Sequence, residues 1–250
     1  MPEPFEHRYA STPSTARTQA AVDEGLRSYM LSVYNYMASG VLLTGIVALV
    51  TYQTPALFQL FFRMTPQGGL SYTLPGWIVV LAPLGLVFYL GARLNHMSLR
   101  AAQTSFWVFA ALFGLSLASI FFVFTGESLA RTFFISAASF GALSLWGYTT
   151  KRDLSGWGSF LFMGLIGIIL ASLVNIFLHS SALQFAVSVI GVLVFAGLTA
   201  YDTQRIKDSY YMVVEGGETR AKMAVMGALR LYLDFINLFM MLLRFMGDRR

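Results

Sequence analysis

Gly227-Ala228-Leu229-Arg230-Leu231-Tyr232-Leu233-Asp234-Phe235-Ile236-Asn237-Leu238-Phe239-Met240-Met241-Leu242-Leu243-Arg244-Phe245-Met246 decides how this chain is read. As a helix rising 1.5 Å per residue it is about 30 Å long, the thickness of a bilayer's hydrocarbon core. Its single carboxylate lies near the middle. A charge at that depth is costly to keep, so an intramembrane Asp is by default a functional candidate with a partner to be found.

Working outward, apolar stretches long enough to span recur at 30–51, 76–93, 105–125, 130–149, 157–179 and 182–201, making seven with 227–246. The expected fold is all-α: a polytopic membrane protein forming a seven-transmembrane-helix bundle. The expected organisation is a polar tail over 1–29, one transmembrane domain over 30–246, and a short C-terminal tail over 247–250. The longest connections are 52–75 and 202–226, too short for a separate soluble domain. Residues 1–29 lack the early apolar segment of a signal peptide, and their acids do not suit a transit peptide.

Composition agrees. Of 250 residues, 56% are hydrophobic and only 12% charged, about half the charge of a soluble domain. There is no Cys, which excludes disulfides, thiolate metal sites and cysteine catalysis. Loops beside an anionic membrane explain the net charge of +5 better than nucleic acid does. With the N-terminus inside, twelve Lys and Arg collect on that side, from Arg8 to Arg230. Arg63, Arg131, Arg244, Arg249 and Arg250 fall outside. The excess predicts a cytoplasmic N-terminus, and the lack of a targeting segment favours a bacterial inner membrane. The three C-terminal arginines, on the less basic side, also allow a re-entrant seventh segment.

Spans three and four share small-residue positions with spans five and six. Ser105-Phe106 recurs as Ser159-Phe160, and Gly141, Leu143, Gly147 and Thr149 as Gly191, Leu193, Gly197 and Thr199. A duplicated hairpin of this kind keeps its orientation, and it places Asp202 near the cytoplasmic end of its helix.

Asp202, in Gly197-Leu198-Thr199-Ala200-Tyr201-Asp202-Thr203-Gln204-Arg205-Ile206, is the second acid set against an apolar helix. Spans six and seven meet on one membrane face, so Asp202 and Asp234 can touch. Two carboxylates in contact share a proton, forming a proton-sensitive latch. The plainer alternative is a helix-face salt bridge, Asp202 with Arg205 at i+3 and Asp234 with Arg230 at i−4. Asn175 and Asn237 are expected to bond across helices, or to line a polar path. His96 and His179 lie at opposite helix ends, which argues against a metal site. No Walker loop or His-Glu-x-x-His run occurs, and no resident cofactor is expected.

The chain resembles the Bax inhibitor-1 family, also called the transmembrane Bax inhibitor motif family. The resemblance is carried by Tyr201-Asp202-Thr203-Gln204 and by Leu231-Tyr232-Leu233-Asp234-Phe235-Ile236-Asn237-Leu238. It extends through Ala137 to Ser144 and Gly147 to Leu154 and covers roughly residues 28 to 246. It implies a bundle with its last helix central and a pH-sensitive calcium leak, not an enzyme. It also implies that Asp202 and Asp234 are the sensor pair, closed while they share a proton. Some members carry an acid in the second span that helps form the ion path; Trp77 to Leu94 has none. The connection carrying Glu215-Gly216-Gly217-Glu218 looks long for the family. Calcium prefers several oxygen ligands, so the two aspartates would hold it only weakly and transiently, as conduction requires.

Two other classes fit part of the pattern. Intramembrane aspartyl proteases also place Tyr-Asp in a sixth helix and Asp in a seventh, but their Gly-x-Gly-Asp stands here as Tyr232-Leu233-Asp234. A non-conducting protein regulating a membrane protease or cell-death factors through membrane protein partners would use the aspartates only to stabilise the bundle. Oligomeric state is open.

Overall fold

The computed structural model describes residues 15–66, 68–93, 96–212 and 217–250. Helix α1 runs over Thr15–Gln53 and is followed by α2, Pro55–Phe61. A small antiparallel hairpin comes next, β1 (Phe62–Met64) and β2 (Leu70–Tyr72), pairing Phe62 with Tyr72. Then follow α3 (Leu74–Arg93), α4 (Leu99–Leu117), the short α5 (Ile120–Val123) and α6 (Gly126–Thr149). The chain finishes with α7 (Trp157–Leu178), α8 (Ser181–Met212) and α9 (Gly217–Met246). Seven of these segments are long and apolar enough to cross a membrane, α4 and α5 together forming one. Below, the proximal end is the one carrying the α8–α9 connection; the distal end carries the hairpin and the C-terminus.

The starts of α4 and α6 are written in sequence. Ser98 Oγ accepts from the Ala101 amide at 3.3 Å and Thr125 Oγ1 from the Ser128 amide at 3.2 Å, satisfying amides that a helix's first turn leaves open. Pro55 opens α2, where no amide hydrogen is needed. Helix α7 stops at His179, whose left-handed φ of 49° turns the chain.

Helix α9 is the axis. In its most apolar window 67% of residues are buried, against 11% for α7. It packs against α1, α4, α6 and α8, with Leu231, Tyr232, Asp234, Phe235, Ile236 and Leu238 all buried. In a bilayer an apolar surface can face lipid, so the helix that carries a carboxyl group is the one to shelter inside, and α9 runs its full length through the bundle with no re-entrant turn. Small residues allow close approach where backbones cross. A Cβ on Gly147 would fall on the Ala200 carbonyl, so α6 and α8 touch through backbone.

Several expected boundaries move. Residues 15–29, expected in the polar tail, are helical and continuous with the first span. Leu26 and Tyr29 are buried, and Tyr29 packs on Tyr210 with ring centroids 5.6 Å apart. The charged residues there had masked that inward stripe; residues 1–14 lie outside the described residues. The connection 52–75 contains α2 and the hairpin, whose short apolar runs read as loop. Most of 202–226 is helix, with α8 continuing to Met212 and α9 beginning at Gly217. Asp202 is therefore ten residues short of its helix end, where the repeat had put it near the terminus. Glu215 and Gly216 lie outside the described residues.

The C-terminal segment 247–250 is docked. The Thr125 amide donates to the Asp248 carbonyl at 3.1 Å and the Arg250 amide to the Val123 carbonyl at 3.0 Å. Arg131 Nη2 reaches Asp248 Oδ2 at 2.8 Å.

Candidate functional site

Each side chain of Tyr201-Asp202-Thr203-Gln204 has a different task, because four consecutive helical residues point around most of a turn. Tyr201 lies over Gly158 of α7, where a Cβ would come within 2.6 Å of the phenol oxygen. Thr203 is fully buried and donates to the Thr199 carbonyl at 2.7 Å. Its oxygen also meets Ser144 Oγ at 2.8 Å, and Ser144 in turn meets the Tyr34 hydroxyl at 2.7 Å. This hydroxyl chain ties α8 to α6 and α1. Gln204 reaches the α6–α7 connection: its Oε1 accepts from the Leu154 amide and its Nε2 donates to the Arg152 carbonyl, both at 2.8 Å.

Asp202 faces α9. Its carboxyl group interacts with that of Asp234, and both line one cavity. Asp234 is 5% exposed, and its Oδ2 has no hydrogen-bond partner among the described residues. Two ionised carboxylates have only acceptors to offer one another, so direct contact between them would call for a proton on one of them.

The neighbouring turns hold Asp234 in place. Two residues earlier, Tyr232 is fully buried, with its hydroxyl 2.7 Å from Thr44 Oγ1. Thr44 donates to the Ala110 carbonyl at 2.8 Å, so Tyr232 donates to Thr44, and α9 is bonded to α1 and through it to α4. Phe106, Phe109 and Phe113 meet the Tyr232 ring edge to face at 6.2, 5.4 and 6.0 Å. On the next face Phe235 packs edge-on against Phe140 and Phe133.

The carboxyl pair lines a cavity of about 580 Å³ bounded by α7, α8 and α9, together with Leu233, Asn237, Arg205 and Arg230. A second cavity, about 430 Å³, adjoins it on the proximal side and shares Ser155, Tyr201, Arg205 and Arg230.

The expected salt bridges are not made. Contact ion pairs among the described residues include Arg131–Asp248 and Lys222–Glu218, and none joins Arg205 or Arg230 to an aspartate. Arg230 and Arg205 act on Asp202 through their field at longer range. Asn237 lines the cavity, yet its amide donates to the Leu233 carbonyl of its own helix at 2.8 Å instead of bonding across helices. Asn175 is elsewhere: its Oδ1 accepts from the Ser180 amide at 2.9 Å and closes the distal end of α7, a local capping task. Sequence reading missed Asp208, half-buried in the proximal cavity, because it had been assigned to a loop; extending the α8 periodicity would have found it. It also missed the pairing partners of Thr203 and Gln204, which no local signal encodes.

The fold defines a class: a seven-helix integral membrane protein with a central C-terminal helix and an aspartate on each of its last two helices lining one cavity. Residues 26–250 match the model of the family described as inhibitor of apoptosis-promoting Bax1, and the chain belongs to this Bax inhibitor-1 family. It is 50% identical to a protein of Rickettsia prowazekii strain Madrid E over 97% of this chain and 98% of that one. A Caulobacter vibrioides protein is 49% identical over 98% of each chain. The inner membrane protein YbhL of Escherichia coli K12 is 48% identical over 90% of this chain and 94% of its own.

Proposed function

We propose that the protein is a pH-sensitive leak pathway for calcium, the transported ion, gated by Asp202 and Asp234, and that it is not an enzyme. The observation that carries this reading is the contact of the two carboxyl groups at the wall of a cavity between α7, α8 and α9. While one proton is shared, α8 and α9 are latched. Loss of the proton leaves two like charges in contact, and the helices part. On another face of α9 lies a mainly apolar distal cavity of about 310 Å³, lined by Thr44, Phe235, Ile236 and Phe239 among others. Movement of α9 is what would join the two into a path. Once the pair is ionised, its carboxylates with the carbonyls nearby offer calcium a weak, transient oxygen site. The Lys and Arg asymmetry and the name of the Escherichia coli relative support an inner-membrane location, with the N-terminus cytoplasmic.

The test is calcium entry into proteoliposomes between pH 6 and 8. Wild-type flux should rise with pH, and Asp202→Asn and Asp234→Asn should each alter that dependence. Wild-type protein no leakier than empty liposomes at every pH would defeat the conduction reading and favour a non-conducting interaction protein.

A further inference from the structure

Helix α7 packs to any extent only against α8, and so does not close over α9. The cavity holding the carboxyl pair is therefore a groove between α7 and α9, floored by α8 and open sideways. Its walls change character along its length. Toward the bilayer core stand Phe162 and Leu165 of α7, Phe195 and Leu198 of α8, and Leu233 of α9. At the proximal end stand Arg205 of α8 and Arg230 of α9, the only side chains of that charge lining it among the described residues. No hydrogen bond or contact ion pair to a protein acceptor is made by either guanidinium among the described residues. Two cations on separate helices, without a contact ion pair among the described residues and at the head of an apolar slot in the membrane, are complementary to an anionic headgroup with an acyl chain attached.

We infer that the α7–α9 groove binds a single anionic phospholipid, its phosphate held between Arg205 and Arg230 and one acyl chain lying along Phe162, Leu165, Phe195 and Leu198. A guanidinium presents a planar fork of N–H donors that fits phosphate oxygens. Tyr201 and Ser155 border the same corner and offer further hydroxyl donors. A soluble anion would fill the corner but leave the slot to other lipid, so the lipid is the occupant that satisfies both ends. This inference goes beyond the proposed flux and does not depend on it.

The test is lipid retention by native mass spectrometry of the purified full-length protein, with phosphatidylglycerol and phosphatidylcholine as competing probes. Each arginine near a charged headgroup is worth roughly five-fold in affinity. Preference for phosphatidylglycerol should fall about five-fold in Arg205→Gln or Arg230→Gln and about thirty-fold in the double variant. Arg63→Gln, at the distal hairpin, should leave it unchanged, and the double Arg→Lys variant should keep most of it. An unaltered preference in a double Gln variant that melts like wild type overturns the site. Equal loss of both lipids overturns the headgroup contact. Displacement of phosphatidylglycerol by millimolar inorganic phosphate overturns the lipid as occupant in favour of a soluble anion. Should the double Gln variant fail to fold, the two single variants decide, since each must show its own drop.

Discussion

Tyr232→Phe removes one oxygen from the centre of the bundle and tests how α9 is held in register with its neighbours. The Tyr232 hydroxyl donates to Thr44 Oγ1 across 2.7 Å, and Thr44 donates onward to the Ala110 carbonyl across 2.8 Å. The Phe variant leaves Thr44's donor satisfied and its own ring within the cage of Phe106, Phe109 and Phe113. Only a bond is lost, with no cavity opened, so the cost is that of one interhelical hydrogen bond in a membrane protein, about 0.6–1.7 kcal/mol. Thr44→Val attacks the same bond from the other side and is worse. It strands the fully buried Tyr232 hydroxyl, while the Ala110 carbonyl keeps its bond within α4, and an unmet buried polar group costs about 1–3 kcal/mol. The double variant removes both hydroxyls and should be more stable than the sum of the two changes predicts, the signature of direct coupling. Unfolding free energies in mixed micelles, read by tryptophan fluorescence, give all four corners of the cycle. If Tyr232→Phe costs more than Thr44→Val, or if the two effects simply add, the bond between α9 and α1 is not what fixes Tyr232, and its position rests on ring packing alone.

Under the proposed latch, a single shared proton would limit how steeply flux can depend on pH: the logarithm of the open-to-closed ratio should rise with a slope no greater than one, at most a hundred-fold between pH 6 and 8. A slope clearly above one in proteoliposome flux would require further titrating groups. Asp153 is not one of them, since the Ser155 side chain and amide hold its carboxyl below the usual carboxylate range. A depressed acid contributes stability at higher pH and loses it as pH falls through the folded value, here only below about pH 4. Gln204→Leu should release the α6–α7 connection, seen as faster hydrogen exchange at the Leu154 amide while exchange along α9 stays unchanged. Gly158→Val should push Tyr201 off α7 and lower thermal stability by about 1–3 kcal/mol, the usual cost of overpacking, whereas Gly167→Ala, with open space at its Cβ, should be nearly neutral. Asp248→Asn breaks an exposed ion pair with Arg131 and should cost at most about 1 kcal/mol in a denaturation series, and less in high salt.

Seven spans were legible because each is a long apolar run, a signal that needs no knowledge of neighbours. The importance of Asp202 and Asp234 was legible for the same reason: a carboxylate in such a run stands out by its cost. Their contact could be expected from two helices meeting on one membrane face. What Arg205, Arg230, Asn175 and Asn237 do could not. Sequence spacing puts Arg205 and Arg230 within reach of the aspartates, but whether a side chain takes that partner depends on what the neighbouring helix offers. Here α8 and α9 offer the carboxyl groups each other, so the arginines are left to the groove. Asn175 turns back to cap its own helix and Asn237 bonds to its own backbone. Residues 15–29 were misplaced because charge on one face hides burial on the other, a pattern that only the position of Tyr210 and its neighbours resolves. Local chemistry along the chain determined which segments enter the membrane and which acids are expensive there. Helix packing alone decided which polar groups meet, since hydrogen-bond partners more than a hundred residues apart, such as Thr44 and Tyr232, are chosen by contact geometry that no local run of sequence contains.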